Sequence, residues 1–258
     1  MPRFAANLSM LFTELPFLER LPAAAQAGFK AVEYVSPYEH DPVVIRDALD
    51  GTGLEQALFN LPAGDWTKGD RGIACDPART DEFRESVATA IRYAQALKCP
   101  RLNCLAGIAP KHADEAAIRA TFVGNLRYAA AEFAKAKLTL LIEAINYRDI
   151  PGFWLNTSAQ AIAVMDEVGA DNLKFQYDIY HMQRMEGELA ATIERLLPRI
   201  GHFQLADNPG RNEPGTGEIN YAFLFAHIDR LGYKDWIGCE YKPLHGTVAG
   251  LGWMNKVR

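Results

Sequence analysis

Cysteine is scarce in this sequence, and the four present, Cys75, Cys99, Cys104 and Cys239, form no CxxC pair. A chain of 258 residues needs no covalent staples, so neither a disulfide framework nor a cysteine-built zinc site is expected. A reducing cytoplasm is the simplest compartment. No run of about 18 apolar residues occurs, so no membrane-spanning helix is expected. The opening Met1-Pro2-Arg3-Phe4 lacks the charged start, apolar stretch and small-residue cleavage site of a secretory signal, and none is expected. A basic excess is also missing. The formal charge is −5, which argues against nucleic acid or an anionic membrane as partner. Low-complexity tracts and linkers are absent, which leaves one domain over residues 1–258 as the expectation.

What is there is a regular alternation. Short apolar, β-rich runs are expected as strands near Phe4–Ser9, Ala31–Val35, Leu54–Phe59, Arg101–Leu105, Leu138–Glu143, Leu173–Asp178, Ile200–Leu205 and Trp236–Tyr241. Their near-continuous apolar character suits a parallel sheet covered on both faces. Between them lie helical stripes: Phe83, Val87, Ile91, Ala94 and Leu97, with Thr80 as a candidate cap, and Ile118, Phe122, Leu126, Ala129 and Phe133. Thr157 or Ser158 can cap a further helix, and Gly28 and Gly232 sit where helix C-terminal glycines belong. These stripes are read as core packing. Eight strand–helix repeats imply an α/β fold, a (β/α)₈ barrel rather than an open sheet, which remains the lesser alternative. A faint echo between Ala27-Gly28-Phe29-Lys30 and Leu231-Gly232-Tyr233-Lys234 fits a repeated unit but is too short to prove duplication.

In such a barrel the C-terminal strand ends form the active face. Four consecutive predicted strands carry there Glu143, Asp178, Gln204 and Glu240. A carboxylate at the end of an apolar strand is costly to bury unless paired or metal-bound, and four such groups on adjacent strands converge on one point. Three carboxylates and an amide oxygen are hard ligands, suited to Mg²⁺ or Mn²⁺. The plainer readings are a salt bridge for Glu143 and Glu240, a helix N-cap for Asp178 and a hydrogen-bonded core amide for Gln204. His181, three residues after Asp178, is a candidate to polarise a substrate oxygen, and His202 is equally read as filling the barrel interior.

Two loops stand out. Residues Asn60 to Arg79, with Pro62, Gly64, Trp66, Gly69 and Gly72, make an unusually long connection after the third strand, a candidate lid with Trp66 against the substrate. Residues Ala206 to Tyr221 form a shaped Pro/Gly-rich loop in which Arg211 is a candidate clamp for a carboxylate. Lys242 is a second candidate for that anion, and Asn7 and Glu33 are expected at the pocket floor.

Several segments resemble a known family. They are Phe4-Ala5-Ala6-Asn7-Leu8-Ser9-Met10, Ala57-Leu58-Phe59-Asn60, Leu141-Ile142-Glu143-Ala144, and Gln176-Tyr177-Asp178 with His181. More specific are Glu213-Pro214-Gly215-Thr216-Gly217-Glu218-Ile219-Asn220-Tyr221 and Ile237-Gly238-Cys239-Glu240-Tyr241-Lys242-Pro243. Across essentially the whole chain the sequence resembles the hydroxypyruvate isomerase group, which includes 2-oxo-tetronate isomerases, within the xylose-isomerase-like barrels. The resemblance implies an isomerase acting on a small hydroxy-keto acid. It implies that Glu143 and Glu240 exchange the proton and that Glu143, Asp178, Gln204 and Glu240 face a divalent metal. Many relatives have histidine where Gln204 stands, and glutamine is the weaker ligand. A ketose 3-epimerase, an inosose dehydratase and a non-catalytic sugar-acid-binding barrel stay open as alternatives. An abasic-site endonuclease, with its three-zinc cluster built from many histidines, fits poorly with six histidines in all. Homo-oligomer formation is left open.

Overall fold

The computed structural model describes residues 2–256. Eight parallel strands close in sequential order into a barrel: β1 (Arg3–Asn7), β2 (Ala31–Tyr34), β3 (Glu55–Asn60), β4 (Arg101–Cys104), β5 (Thr139–Glu143), β6 (Leu173–Asp178), β7 (Ile200–Leu205) and β8 (Trp236–Cys239). Each expected strand is present, with ends shifted by a residue or two. The helices are α1 (Phe17–Gln26), α2 (Pro42–Thr52), α3 (Thr80–Leu97), α4 (Glu115–Lys135), α5 (Ser158–Val168), α6 (Ile179–Met185), α7 (Leu189–Leu196), α8 (Tyr221–Arg230) and α9 (Thr247–Gly250). The connection after β6 thus holds two short helices. The one after β8 holds only α9 and a 3₁₀ turn over Leu251–Lys256. Among the described residues, no helix is long and apolar enough to cross a membrane.

Side chains alternate across each strand, and the two faces have different chemistry. The outward row, among them Phe4, Val32, Phe59, Leu140, Ile142, Phe175, Phe203 and Ile237, joins the inner faces of the helices in one large apolar core. The expected stripes of α3 and α4 supply the other half of it, from Phe83 to Leu97 and from Ile118 to Phe133. The inward row is small or polar. Ala5, Ala31, Ala57 and Trp236 make a separate apolar layer inside the barrel. Buried polar residues also occur along the strands: Asn7, Glu33, Asn103, Glu143, Gln176, His202 and Gln204. The runs that read as continuously apolar are therefore interrupted at inward positions, and those interruptions build the site.

Local signals were mostly, though not uniformly, accurate. Gly28 and Gly232 take left-handed conformations at φ 94° and 89°. Thr157 caps α5 by accepting from the Gln160 amide. Thr80 does not cap α3. The helix begins at Thr80 itself, after a 3₁₀ turn whose cap is Asp76, and the Thr80 hydroxyl faces the Pro77 carbonyl instead.

Candidate active site

The carboxylates at the ends of β5, β6 and β8 meet at one point. Ligand atoms of Glu143, Asp178, His181 and Glu240 all lie within 4.8 Å of one another, and all four residues are buried. Each is held by a different device. Glu143 Oε2 accepts from Asn103 Nδ2 on β4 at 2.8 Å and from Gln176 Nε2 on β6 at 2.9 Å, while its Oε1 faces His181 Nε2 at 3.8 Å. Asp178 caps α6 through Oδ1, which accepts from the amides of Tyr180 and His181. Its Oδ2 has no hydrogen-bond partner among the described residues. Glu240 Oε2 accepts from Arg211 Nη2 at 2.7 Å, and Asn7 Nδ2 lies 3.5 Å from Oε1. The N-cap reading of Asp178 and the convergence reading thus both describe the residue, one for each carboxylate oxygen.

Burial dominates the electrostatics of all three carboxylates. Glu143 is raised well above the ordinary glutamate value, first by burial and then by Glu240 and Asp178. Glu240 is pushed up to about 8, first by burial; the charge of Arg211 opposes the rise, and Asp178 and Glu33 add to it. Asp178 is raised by burial against the pull of Arg211. An orphaned Asp178 oxygen among three crowded carboxylates fits a divalent cation, which would be held by Glu143, Asp178 and Glu240.

His181 belongs to this cluster but differs from the carboxylates. The Asp149 amide donates to Asn146 Oδ1 at 2.9 Å, which fixes the orientation of that side-chain amide. Asn146 Nδ2 then donates to His181 Nδ1 at 2.6 Å. With Nδ1 accepting, the single proton of a neutral imidazole lies on Nε2, the atom facing Glu143 and Asp178 (3.6 Å to Oδ2). Burial, followed by the charges of Arg211 and Arg184, holds the ring well below its ordinary value, so it is neutral. His181 therefore presents an N–H to the cavity and is a hydrogen-bond donor there.

Arg211 is placed by its loop. Asp207 accepts from four backbone amides, those of Asn208, Gly215, Gly217 and Ile219, and so ties residues 207–219 into a compact knot. Gly217 is obligatory there, because a Cβ would fall 2.0 Å from the Asn208 carbonyl. Arg211 sits in that knot at φ 55° and turns its guanidinium over the Tyr180 ring and onto Glu240.

The cluster opens into a cavity of about 610 Å³, lined among others by Glu143, His181, Arg211 and Glu240. Trp66, half exposed in a 3₁₀ turn of the long β3–α3 loop, lies on its wall.

The profile of the xylose isomerase-like TIM barrel family matches residues 21–257. The hydroxypyruvate isomerase of Escherichia coli K12 is 55% identical over 258 residues, with all of both chains covered. The chain belongs to the xylose isomerase-like TIM barrels, in their hydroxypyruvate isomerase and 2-oxo-tetronate isomerase group. It is an isomerase of this family. The 2-oxo-tetronate isomerase of Cupriavidus necator is 50% identical, with 98% of each chain covered. A crystal structure from Brucella melitensis, named as an AP endonuclease of family 2, superposes with a TM-score of 0.97 at 43% identity over the full length of both chains.

Within this family frame, the hydrogen bonds of Gln204, Lys242 and Glu33 go to residues outside the cluster. Gln204 was expected as the fourth oxygen ligand. Its Oε1 instead accepts from Gln176 and its Nε2 donates to Glu33, both at 2.7 Å, so the amide is bonded at both ends inside the barrel, as the core-amide reading held. Lys242 was a candidate for the substrate anion. It is exposed and does not line the cavity, and its backbone joins the β7 loop through Arg211 and Asn212. Asn7 and Glu33 were expected at the pocket floor, yet neither lines the cavity: Asn7 donates to Glu33 at 2.9 Å and lies 3.5 Å from Glu240, and Glu33 also bonds His202 at 2.7 Å. Gly238 makes this possible, since a Cβ there would fall 2.1 Å from Glu33 Oε1. Asn103, Gln176, Asn146 and Asp149 escaped the sequence reading. For Asn103 and Gln176 a signal was available: each is a buried amide between apolar strand neighbours, Leu102 and Cys104 for one, Phe175 and Tyr177 for the other. Asn146 and Asp149 lie in an ordinary turn with nothing to mark them.

Proposed function

We propose that the chain interconverts a 2-keto-3-hydroxy acid and its aldehyde or 3-keto isomer, hydroxypyruvate with tartronate semialdehyde or 2-oxo-tetronate with 3-oxo-tetronate, by proton transfer between Glu143 and Glu240. The observation that carries the proposal is the meeting of these two buried glutamates, both raised above their ordinary values, in one cavity. In the forward direction one glutamate removes the proton on C3, and the electron pair moves through the carbon skeleton to give an enediolate. A proton returned to C2, with the hydroxyl proton passing from O3 to O2, completes the isomer. An ordinary carboxylate near 4.3 is a weak base for a carbon acid, and burial strengthens it. Names of relatives supply the substrate class, with both three- and four-carbon acids represented.

A divalent cation, Mg²⁺ or Mn²⁺, when bound by Glu143, Asp178 and Glu240, would supply stabilisation of developing negative charge on the substrate oxygens. The remaining chemistry belongs to side chains. Asn103 and Gln176 hold Glu143 by one oxygen and leave the other free to take or give a proton. The Nε2–H of His181 donates to a substrate oxygen as charge develops there. The Trp66 loop, whose indole lies on the cavity wall, has the task of keeping water from the enediolate.

The test is direct. Protein supplied with Mg²⁺ or Mn²⁺ is incubated with hydroxypyruvate and with 2-oxo-tetronate in D₂O and followed by NMR. Isomer formation with deuterium entering at the new C–H is the expected result, and loss of both substrates as candidates follows if neither changes.

The role of His181 gives a second expectation. Asn146→Leu removes the donor that fixes the tautomer, and kcat falls about 10- to 100-fold, below the 10²–10³ that loss of a whole oxyanion donor costs. Nitrogen-15 shifts of the His181 ring will change from the pure Nε2–H pattern to a mixture. An unchanged ring spectrum with unchanged kcat would remove Asn146 from the mechanism.

The name of the Brucella relative points to DNA, but nothing at this site favours that reading: the cluster has one histidine and the chain is acidic.

A further inference from the structure

A substrate that carries a carboxylate needs a cation beside it. Neither cation singled out in the sequence is free for that task. Arg211 is already matched by Glu240 at 2.7 Å, with Asp178 and Asp149 each at 4.0 Å, and Lys242 lies outside the cavity. The same cavity wall holds a third cation, Arg20, in the first turns of α1.

Arg20 is half-buried and held by backbone. Its Nε donates to the Leu15 carbonyl at 2.8 Å and its Nη1 to the Leu8 carbonyl at 2.7 Å. Both acceptors lie in the β1–α1 connection, so the guanidinium is clamped in one plane by two neutral partners. Among the described residues it makes no ion pair. Glu39 also lines the cavity, yet it is exposed and not paired with Arg20. Two of the five N–H donors are thus used, no ion pair meets the charge among the described residues, and Arg20 lines a space that is also lined by Glu143, His181 and Glu240. A guanidinium held flat by carbonyls keeps its remaining N–H groups, two of them on Nη2, available to a carboxylate at little cost in side-chain entropy.

We propose that Arg20 is the carboxylate subsite of this enzyme: it binds the acid group of the substrate and selects acidic ketols over neutral ones. This rests on the acidic-substrate reading above, and it assigns to α1 a task that the β7 loop was expected to perform. Arg211 is then left to hold Glu240.

The experiment separates the two ideas by using unreactive probes. Binding of glycerate and of glycerol, its neutral counterpart, is measured by calorimetry on the intact protein, on Arg20→Gln and on Arg20→Lys. Glycerate is expected to bind the natural protein more tightly than glycerol. Arg20→Gln is expected to weaken glycerate about 30- to 100-fold and to leave glycerol unchanged. Arg20→Lys, which keeps the charge but not the fork, should fall between. KM for hydroxypyruvate should rise in step with the glycerate constant. If glycerate and glycerol weaken together, Arg20 only props the β1–α1 connection and the proposal is overturned. It is also overturned if glycerate binding is unaffected, or is undetectable in the natural protein. Arg20-dependent glycerate binding without any turnover of hydroxypyruvate or 2-oxo-tetronate would uphold the subsite and sink the isomerase substrate reading instead.

Discussion

Glu143→Gln and Glu240→Gln are each expected to lower kcat by about 10²–10⁴-fold, the range carried by a positioned proton-transfer group. Both substitutions keep shape. The new amide at position 143 still offers an oxygen to Asn103 and Gln176, the two donors that hold Glu143 now. The fold is therefore expected to survive at position 143, where relief of repulsion among buried carboxylates works in favour of stability; Glu240→Gln also removes the charge that Arg211 meets at 2.7 Å and is expected to fold with a lower melting temperature. Circular dichroism and melting temperature check the fold; steady-state kinetics check the loss. The order of action follows from exchange of the substrate C3 proton with D₂O. The variant that retains exchange has lost the second group, and the variant without exchange has lost the first. Turnover within a few-fold of the natural protein in either variant would end the two-glutamate mechanism.

The second large effect links cation, proton and stability. Glu240 is near 8 in the folded chain and 4.5 as an ordinary glutamate, and Glu143 is shifted in the same direction. Between those values the folded, cation-free chain holds more protons than the unfolded chain. Stability is thus fully present below about 4.5 and is lost as pH rises through about 8. A divalent cation replaces those protons, so its affinity should grow with pH across this window. At a hundred times its Kd it should contribute about 2.7 kcal/mol. At about 2–4 °C per kcal/mol for a chain of this size, that is a rise in Tm of roughly 5–10 °C. Scans with and without Mn²⁺ at pH 6 and pH 8 are the measurement, together with titration of the protons released. A Tm indifferent to Mn²⁺ at pH 8 would remove the cation from this cluster.

How far the sequence could be read depended on how local each signal was. The barrel was legible because its two periodicities, of strand and of helix, are carried within single segments such as Leu173–Asp178 or Glu115–Lys135. The strand-end acids were legible for a related reason: a charge closing an apolar strand is conspicuous in one dimension. Lys242 misled because chain proximity to Glu240 says nothing of direction once the strand has ended. The partners of Gln204 were not legible, because Gln176 and Glu33 come from strands 28 and 171 residues away in sequence. Arg20 and Asn146 gave no sign at all. Their meaning lies in which carbonyls and amides face them, which the chain order does not encode in any short pattern.

By itself, then, the sequence determined the eightfold alternation, the family and the acids that close strands β5, β6 and β8, because hydrophobic patterning and short motifs are properties of neighbouring residues. Only the closed barrel decided which oxygen of each carboxylate is free, which ring nitrogen of His181 carries its proton and which arginine keeps an unmatched charge. Those choices are made by hydrogen bonds between groups that the chain order keeps apart and barrel closure brings within 3 Å.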